Sequence, residues 1–128
     1  MYIVYDRENE TCSELCNTID ECLNNLLEID CLRFGNLYKV IDLETDCTET
    51  ILVSFNRNWP TEGWYMYIVY DLKSKVCSDV SENLNDCFNS LQEMDSIKFG
   101  NVYRIINIES SKIVDIELNS NELLKILV

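Results

Sequence analysis

Met-Tyr-Ile-Val-Tyr-Asp, residues 1–6 (MYIVYD), returns unchanged at residues 66–71, and the match extends well beyond those six letters. A shift of 65 positions lays Cys12 on Cys77, Cys22 on Cys87, Leu26 on Leu91, Glu28 on Glu93 and Asp30 on Asp95. It also lays Phe34-Gly35-Asn36 on Phe99-Gly100-Asn101, Tyr38 on Tyr103 and Glu44 on Glu109. A register held across half a chain is the signature of a tandem repeat.

Each copy begins with a strand, because Tyr2 to Tyr5 combine aromatic and β-branched side chains and the polar run Asp6 to Glu10 turns the chain. Residues 12–16 follow as a short second strand or an extended lead-in. Thr18-Ile19-Asp20-Glu21 has the form of a capping box and opens a helix whose apolar stripe is Ile19, Cys22, Leu23, Leu26, Leu27 and Ile29. The second copy offers Asn83 as the cap and Leu84, Cys87, Phe88, Leu91 and Met94 as the stripe. Gly35 and Gly100 stand at one equivalent place after the helices, where a positive φ would aim the chain into the next strand. Leu37 to Leu43 then pairs with Thr50 to Phe55 as a hairpin, and Val102 to Ile108 with Ile113 to Leu118. Ser120-Asn121-Glu122 predicts a cap for a short terminal helix over Leu123 to Val128.

The expected fold is therefore α+β: a tandem repeat of two ββαββ units, residues 1–58 and 66–128. Each half alone is near the size where a private core is marginal, so the units are expected to share apolar surface. The predicted result is one pseudo-two-fold domain, an antiparallel sheet with two helices on one side. Repeat one covers 1–55, a linker 56–65 and repeat two 66–128. The linker holds Trp59, Trp64 and the only proline. Its tryptophans either form an exposed aromatic contact or pack over the seam, and their large area favours packing.

Hydrophobic residues make up 47 % of the 128, which suits a packed core, while the net charge is −13. That balance repels phosphate backbones and anionic bilayers, so direct nucleic-acid or membrane binding is not expected. No basic leader precedes an apolar run and no stretch approaches a membrane span, so the expectation is a cytoplasmic protein, monomer or homodimer. With 7 cysteines and no export signal, the thiols are expected to be reduced.

No histidine is present, which excludes imidazole relays, and there is no phosphate-binding glycine loop. Asp42 and Glu44 share a strand face and, with Glu109, give the runner-up reading of a small metal-dependent enzyme or factor. Cys12 and Cys16 are spaced too loosely for a zinc knuckle, and Cys12 and Cys77 are candidates for a disulfide across the repeats. No cofactor is expected.

The acidic pattern is more informative. Glu8 to Leu32 holds 7 carboxylates and no lysine or arginine, and Val76 to Ile97 holds 5, again without a cation. A helix surface that served solubility alone would mix signs and gain i,i+4 pairs. Residues 1–65 carry 4 basic and 13 acidic residues, net −9, against net −4 for 66–128, so the first copy is the stronger contact. The expected function is a non-enzymatic acidic protein that docks Glu14, Asp20, Glu21 and Glu28, with Asp86 and Glu93, on a basic protein surface. Its sharper form is a nucleic-acid mimic that blocks a defence nuclease aimed at phages or mobile elements, an analogy of charge and size. A self-assembling subunit with open sheet edges is a further alternative.

Overall fold

In each unit the buried end of one strand organises the chain around it. The computed structural model describes residues 1–55 and 66–127. Strands β1 (Tyr2–Asp6) and β2 (Thr11–Cys12), helix α1 (Ile19–Glu28), and strands β3 (Leu37–Asp42) and β4 (Thr48–Phe55) come first. The same order follows in β5 (Tyr67–Asp71), β6 (Val76–Cys77), α2 (Leu84–Glu93), β7 (Val102–Asn107) and β8 (Ile113–Glu117). The chain is α+β and forms two compact units. The expected single sheet is replaced by two antiparallel ones, a five-stranded sheet ordered β2-β1-β3-β4 with a C-terminal strand at its edge and a four-stranded sheet ordered β6-β5-β7-β8. The two tryptophans and their linker lie outside the described residues.

The C-terminal strand corrects the sequence reading. Ser120–Glu122 forms a single 3-10 turn, capped by Asn119, and Leu123–Leu127 is strand β9, antiparallel to β4, in place of a terminal helix. Leu-Leu-Lys-Ile-Leu is too short to nucleate a helix in isolation, whereas the free edge of β4 supplies partners for its backbone. Leu123 is 1 % exposed and closes the first unit's core.

Within each sheet the alternation of strand side chains separates two faces. In the first unit Val4, Tyr38, Val40, Ile51 and Val53 are buried, as are Cys22, Leu23 and Leu26 of α1. In the second, Tyr67, Val69, Tyr103, Ile105 and Ile116 are buried with Leu84, Cys87, Phe88 and Leu91 of α2. Phe88 meets Tyr103 edge to face at 5.6 Å. Burial of each such leucine or phenylalanine contributes about 1.5–3 kcal/mol. Ile29 and Met94, expected in the apolar stripes, are instead 45 % and 44 % exposed. Both are C-cap residues, beyond the last helical turn.

The helices end in Schellman turns. Cys31 N–H donates to Leu26 O (2.9 Å) and Asp30 N–H to Leu27 O (3.1 Å), with Ser96 and Asp95 doing the same for Leu91 and Gln92. Asp30 and Asp95 therefore hold positive φ, 57° and 56°, where aspartate is tolerated better than most residues. Gly35 and Gly100 have φ of 107° and 108°, as the sequence predicts.

A tyrosine pins the crossing from helix to strand. Tyr38 Oη accepts the Arg33 amide (2.8 Å) and donates to Cys31 O (3.0 Å); Tyr103 Oη accepts the Lys98 amide (2.9 Å) and donates to Ser96 O (2.9 Å). Burial, ahead of any neighbouring charge, pushes the Tyr38 phenol up to about 12 and raises that of Tyr103. The folded chain thus holds a proton that the unfolded chain releases near 10.0, so this stabilisation is complete below that pH and is lost as pH climbs towards 12. Ultraviolet titration should show an early tyrosinate phase and a late one that coincides with alkaline unfolding. Tyr38→Phe should destabilise by about 1–3 kcal/mol through the amide and carbonyl it strands. A single early phase for all tyrosines would contradict this.

Candidate functional site

The acidic helix surfaces are built from the helix starts. Thr18 caps α1 by accepting the Glu21 amide at Oγ1 (3.2 Å), and Asn83 caps α2 by accepting the Asn85 amide at Oδ1 (2.7 Å). Only this half of the predicted capping box forms among the described residues, which leaves the Glu21 carboxylate facing solvent. Glu21 and Glu28 are 7 residues apart, as are Asp86 and Glu93. Two helical turns separate them, so each pair lies on one stripe, about 10 Å apart along the axis.

Glu14, Glu21, Glu28, Asp86 and Glu93 are all exposed. Among the described residues the carboxylates of the four glutamates make no ion pair or hydrogen bond, and Asp86 only receives the Ser81 hydroxyl at 3.5 Å. Glu14 stands just before α1, where its backbone amide donates to Asn25 Oδ1 (2.8 Å). Neither helix carries a cation in its last turn.

Asp20 behaves differently from its neighbours. It is half-buried, and its Oδ1 accepts the Ser120 amide at 2.7 Å, which ties the N-terminal turn of α1 to the segment leading into β9. Nothing local in the sequence signals this pairing across 100 positions.

Asp42, Glu44 and Glu109 also have local roles. Asp42 Oδ1 accepts the Glu44 amide (3.0 Å), a bond that holds its exposed carboxyl below the usual carboxylate range. Glu44 lies 3.8 Å from the N-terminal ammonium, and the Glu109 amide donates to Asn107 Oδ1 (3.0 Å). Four hairpin turns share this device. Asp6, Asp42, Asp71 and Asn107 each receive turn amides at a side-chain oxygen, and Glu10, Asp46, Lys75 and Ser111, four residues on, have φ between 54° and 60°. Among the described residues no three acidic or cysteine side chains converge to hold a metal ion.

The seven cysteines are free thiols. Cys22 and Cys87 are buried and donate to Tyr2 O (3.2 Å) and Tyr67 O (3.5 Å). The Cys16 thiol is pushed up to about 11, by burial first and then by Cys22, Glu21 and Glu14; burial also raises Cys87. A thiol held in its protonated form is a poor nucleophile and a poor metal ligand.

The chain matches no model of a known protein family, and no curated protein or solved structure is detectably similar to it. Among the described residues no helix is long and apolar enough to cross a membrane.

The geometry separates Asp20 from the other acidic residues in a measurable way. Asp20→Ala should lower stability by about 1 kcal/mol and raise amide exchange along β9. Glu21→Ala should change neither by more than about 0.5 kcal/mol. Equal exchange of β9 in the two variants would show that the Asp20 bond is not what holds that strand's approach.

Proposed function

We propose that this is a non-enzymatic binding protein that docks its carboxylate-lined helix surface on a basic region of another protein. The carrying observation is that Glu14, Glu21 and Glu28 are exposed and free of ion pairs among the described residues, in a stretch with no lysine or arginine. The second unit supports the same reading, since Asp86 and Glu93 occupy the corresponding helix positions. Element order and strand register recur under the same 65-residue shift, Tyr2 against Asp42 and Tyr67 against Asn107. That recurrence supports reading the units as copies of one ββαββ module, so the acidic stripe is a feature kept twice.

Charge density supports the general form of this function over the sharper one. Duplex DNA carries one charge per ~1.7 Å of axis. Glu21 and Glu28 are about 10 Å apart on α1, several-fold sparser. The support is therefore for docking on a basic protein site ahead of close mimicry of a duplex in a defence nuclease.

The metal-dependent alternative is weakened by the turn role of the Asp42 carboxylate. A second reading, self-association, has one observation in its favour: among the described residues β8 pairs only with β7, whereas the matching strand β4 is covered by β9.

Salt distinguishes the two. A partner captured from host lysate at low salt should bind Glu14→Lys/Glu21→Lys/Glu28→Lys at least about tenfold more weakly, with association slowing steeply as salt rises and little change in melting temperature. Unchanged affinity of the triple variant would remove the proposal. Self-association of a chain with net charge −13 should instead strengthen with salt, which light scattering over a dilution series would reveal.

A further inference from the structure

The buried aspartates that end β1 and β5 are treated differently by their surroundings. Asp6 and Asp71 are both 0 % exposed. Asp6 Oδ1 accepts the Glu8 and Asn9 amides (3.0 and 3.3 Å), and its Oδ2 accepts Asn9 Nδ2 at 2.8 Å. A second clasp, Asn36 Nδ2 to Glu8 Oε2 at 2.9 Å, ties this turn to the connection between α1 and β3. Every acceptor is filled from within the unit.

In the second unit both clasps are gone. Ser74 stands where Asn9 did and Lys73 where Glu8 did. Asp71 Oδ1 still accepts the Lys73 and Ser74 amides (2.9 and 3.3 Å), but its Oδ2, sealed from solvent, has no hydrogen-bond partner. Such an oxygen is costly unless a donor meets it, and a carboxylate favours a cationic donor. Beside Asp71 lies an open cavity of about 250 Å³ between the β5–β6 turn and the connection from α2 to β7, lined by Asp71, Lys73, Ser74, Asp95, Lys98 and Asn101. Lys73 and Lys98 are exposed and form no ion pair among the described residues. A buried acceptor lacking a donor thus lies in the wall of a space that also holds the Asp95 carboxylate and two lysines without an ion-pair partner among the described residues, a space suited to a ligand smaller than drug-sized.

We propose that the second unit binds a small zwitterion of the α-amino-acid class in this cavity. Its ammonium donates to Asp71 Oδ2, which the local turn must expose for binding, and its carboxylate lies against Lys73 and Lys98. The first unit, closed by Asn9 and Glu8, has no such site. A simple anion would meet the lysines but leave the buried oxygen unpaired, and a simple amine would do the reverse.

The test is an amide chemical-shift titration of the full chain with each standard L-amino acid, followed by the des-amino and decarboxylated analogues of the tightest. Saturable shifts should appear at Asp71, Ser74, Lys98 and Asn101, and both analogues should bind at least about tenfold more weakly. Ser74→Asn, which rebuilds the first unit's clasp, should weaken binding by a similar factor while the rest of the spectrum stays in place. Lys98→Gln should do so without touching the turn. No saturable shift with any amino acid, equal binding of an analogue, or undiminished binding by both variants would overturn the proposal and leave ordered water as the partner of Asp71.

Discussion

A carboxylate shut away from water must have its oxygens met by donors, and in this protein one such group at the end of a central strand governs each unit. Asp6 and Asp71 pair in register with Tyr38 and Tyr103, the tyrosines that hold the helix-to-strand crossing. The same aspartates gather the amides of the following turn, which folds β2 and β6 back onto their neighbours. Turn, strand edge and helix exit therefore meet at one point. Removing that carboxylate would release turn amides and disturb the packing beside the tyrosine together.

The two units solve the same problem with different side chains. The first saturates its aspartate internally and has its sheet extended by β9, with Asp20 holding the approach at Ser120. The second substitutes Ser74 and Lys73, keeps the turn, and leaves one oxygen without a donor. Backbone geometry is retained because the amide bonds to Oδ1 suffice for the turn. What differs is the second oxygen, which Asn9 fills in the first unit and which stays buried and unpaired in the second.

Much of the fold was legible from residues. The helix starts at Thr18 and Asn83 and the positive φ at Gly35 and Gly100 rest on local preferences that tertiary contacts do not override. What was not legible depended mostly on distant partners. Leu123–Leu127 is a strand because β4 offers an edge, and Asp20 faces Ser120 from far along the chain. Asp42 and Glu44 looked like a ligand pair by strand alternation, but Asp42 ends its strand and serves the turn. Trp59 and Trp64 lie outside the described residues and stay as sequence expectations. The substitution of Asn9 by Ser74 was visible in the sequence all along. Its meaning depended on knowing that Asp71 is buried.

The acidic surface also divides once backbone conformation is considered. Negative charge after a helix C-terminus opposes the macrodipole, so Glu28, Asp30, Glu93 and Asp95 look at first like one signal. Asp30 and Asp95, however, occupy the left-handed position of a Schellman turn, where aspartate is favoured by its backbone tolerance. They have a structural reason to be there. Glu28 and Glu93 have helical backbones and exposed side chains, with no cation in the last turn of either helix. Local structure gives no reason for glutamate at either place, and a lysine would suit the dipole better. The case for a basic partner therefore rests on these glutamates and on Glu21 and Asp86 two turns before them, rather than on the total of carboxylates.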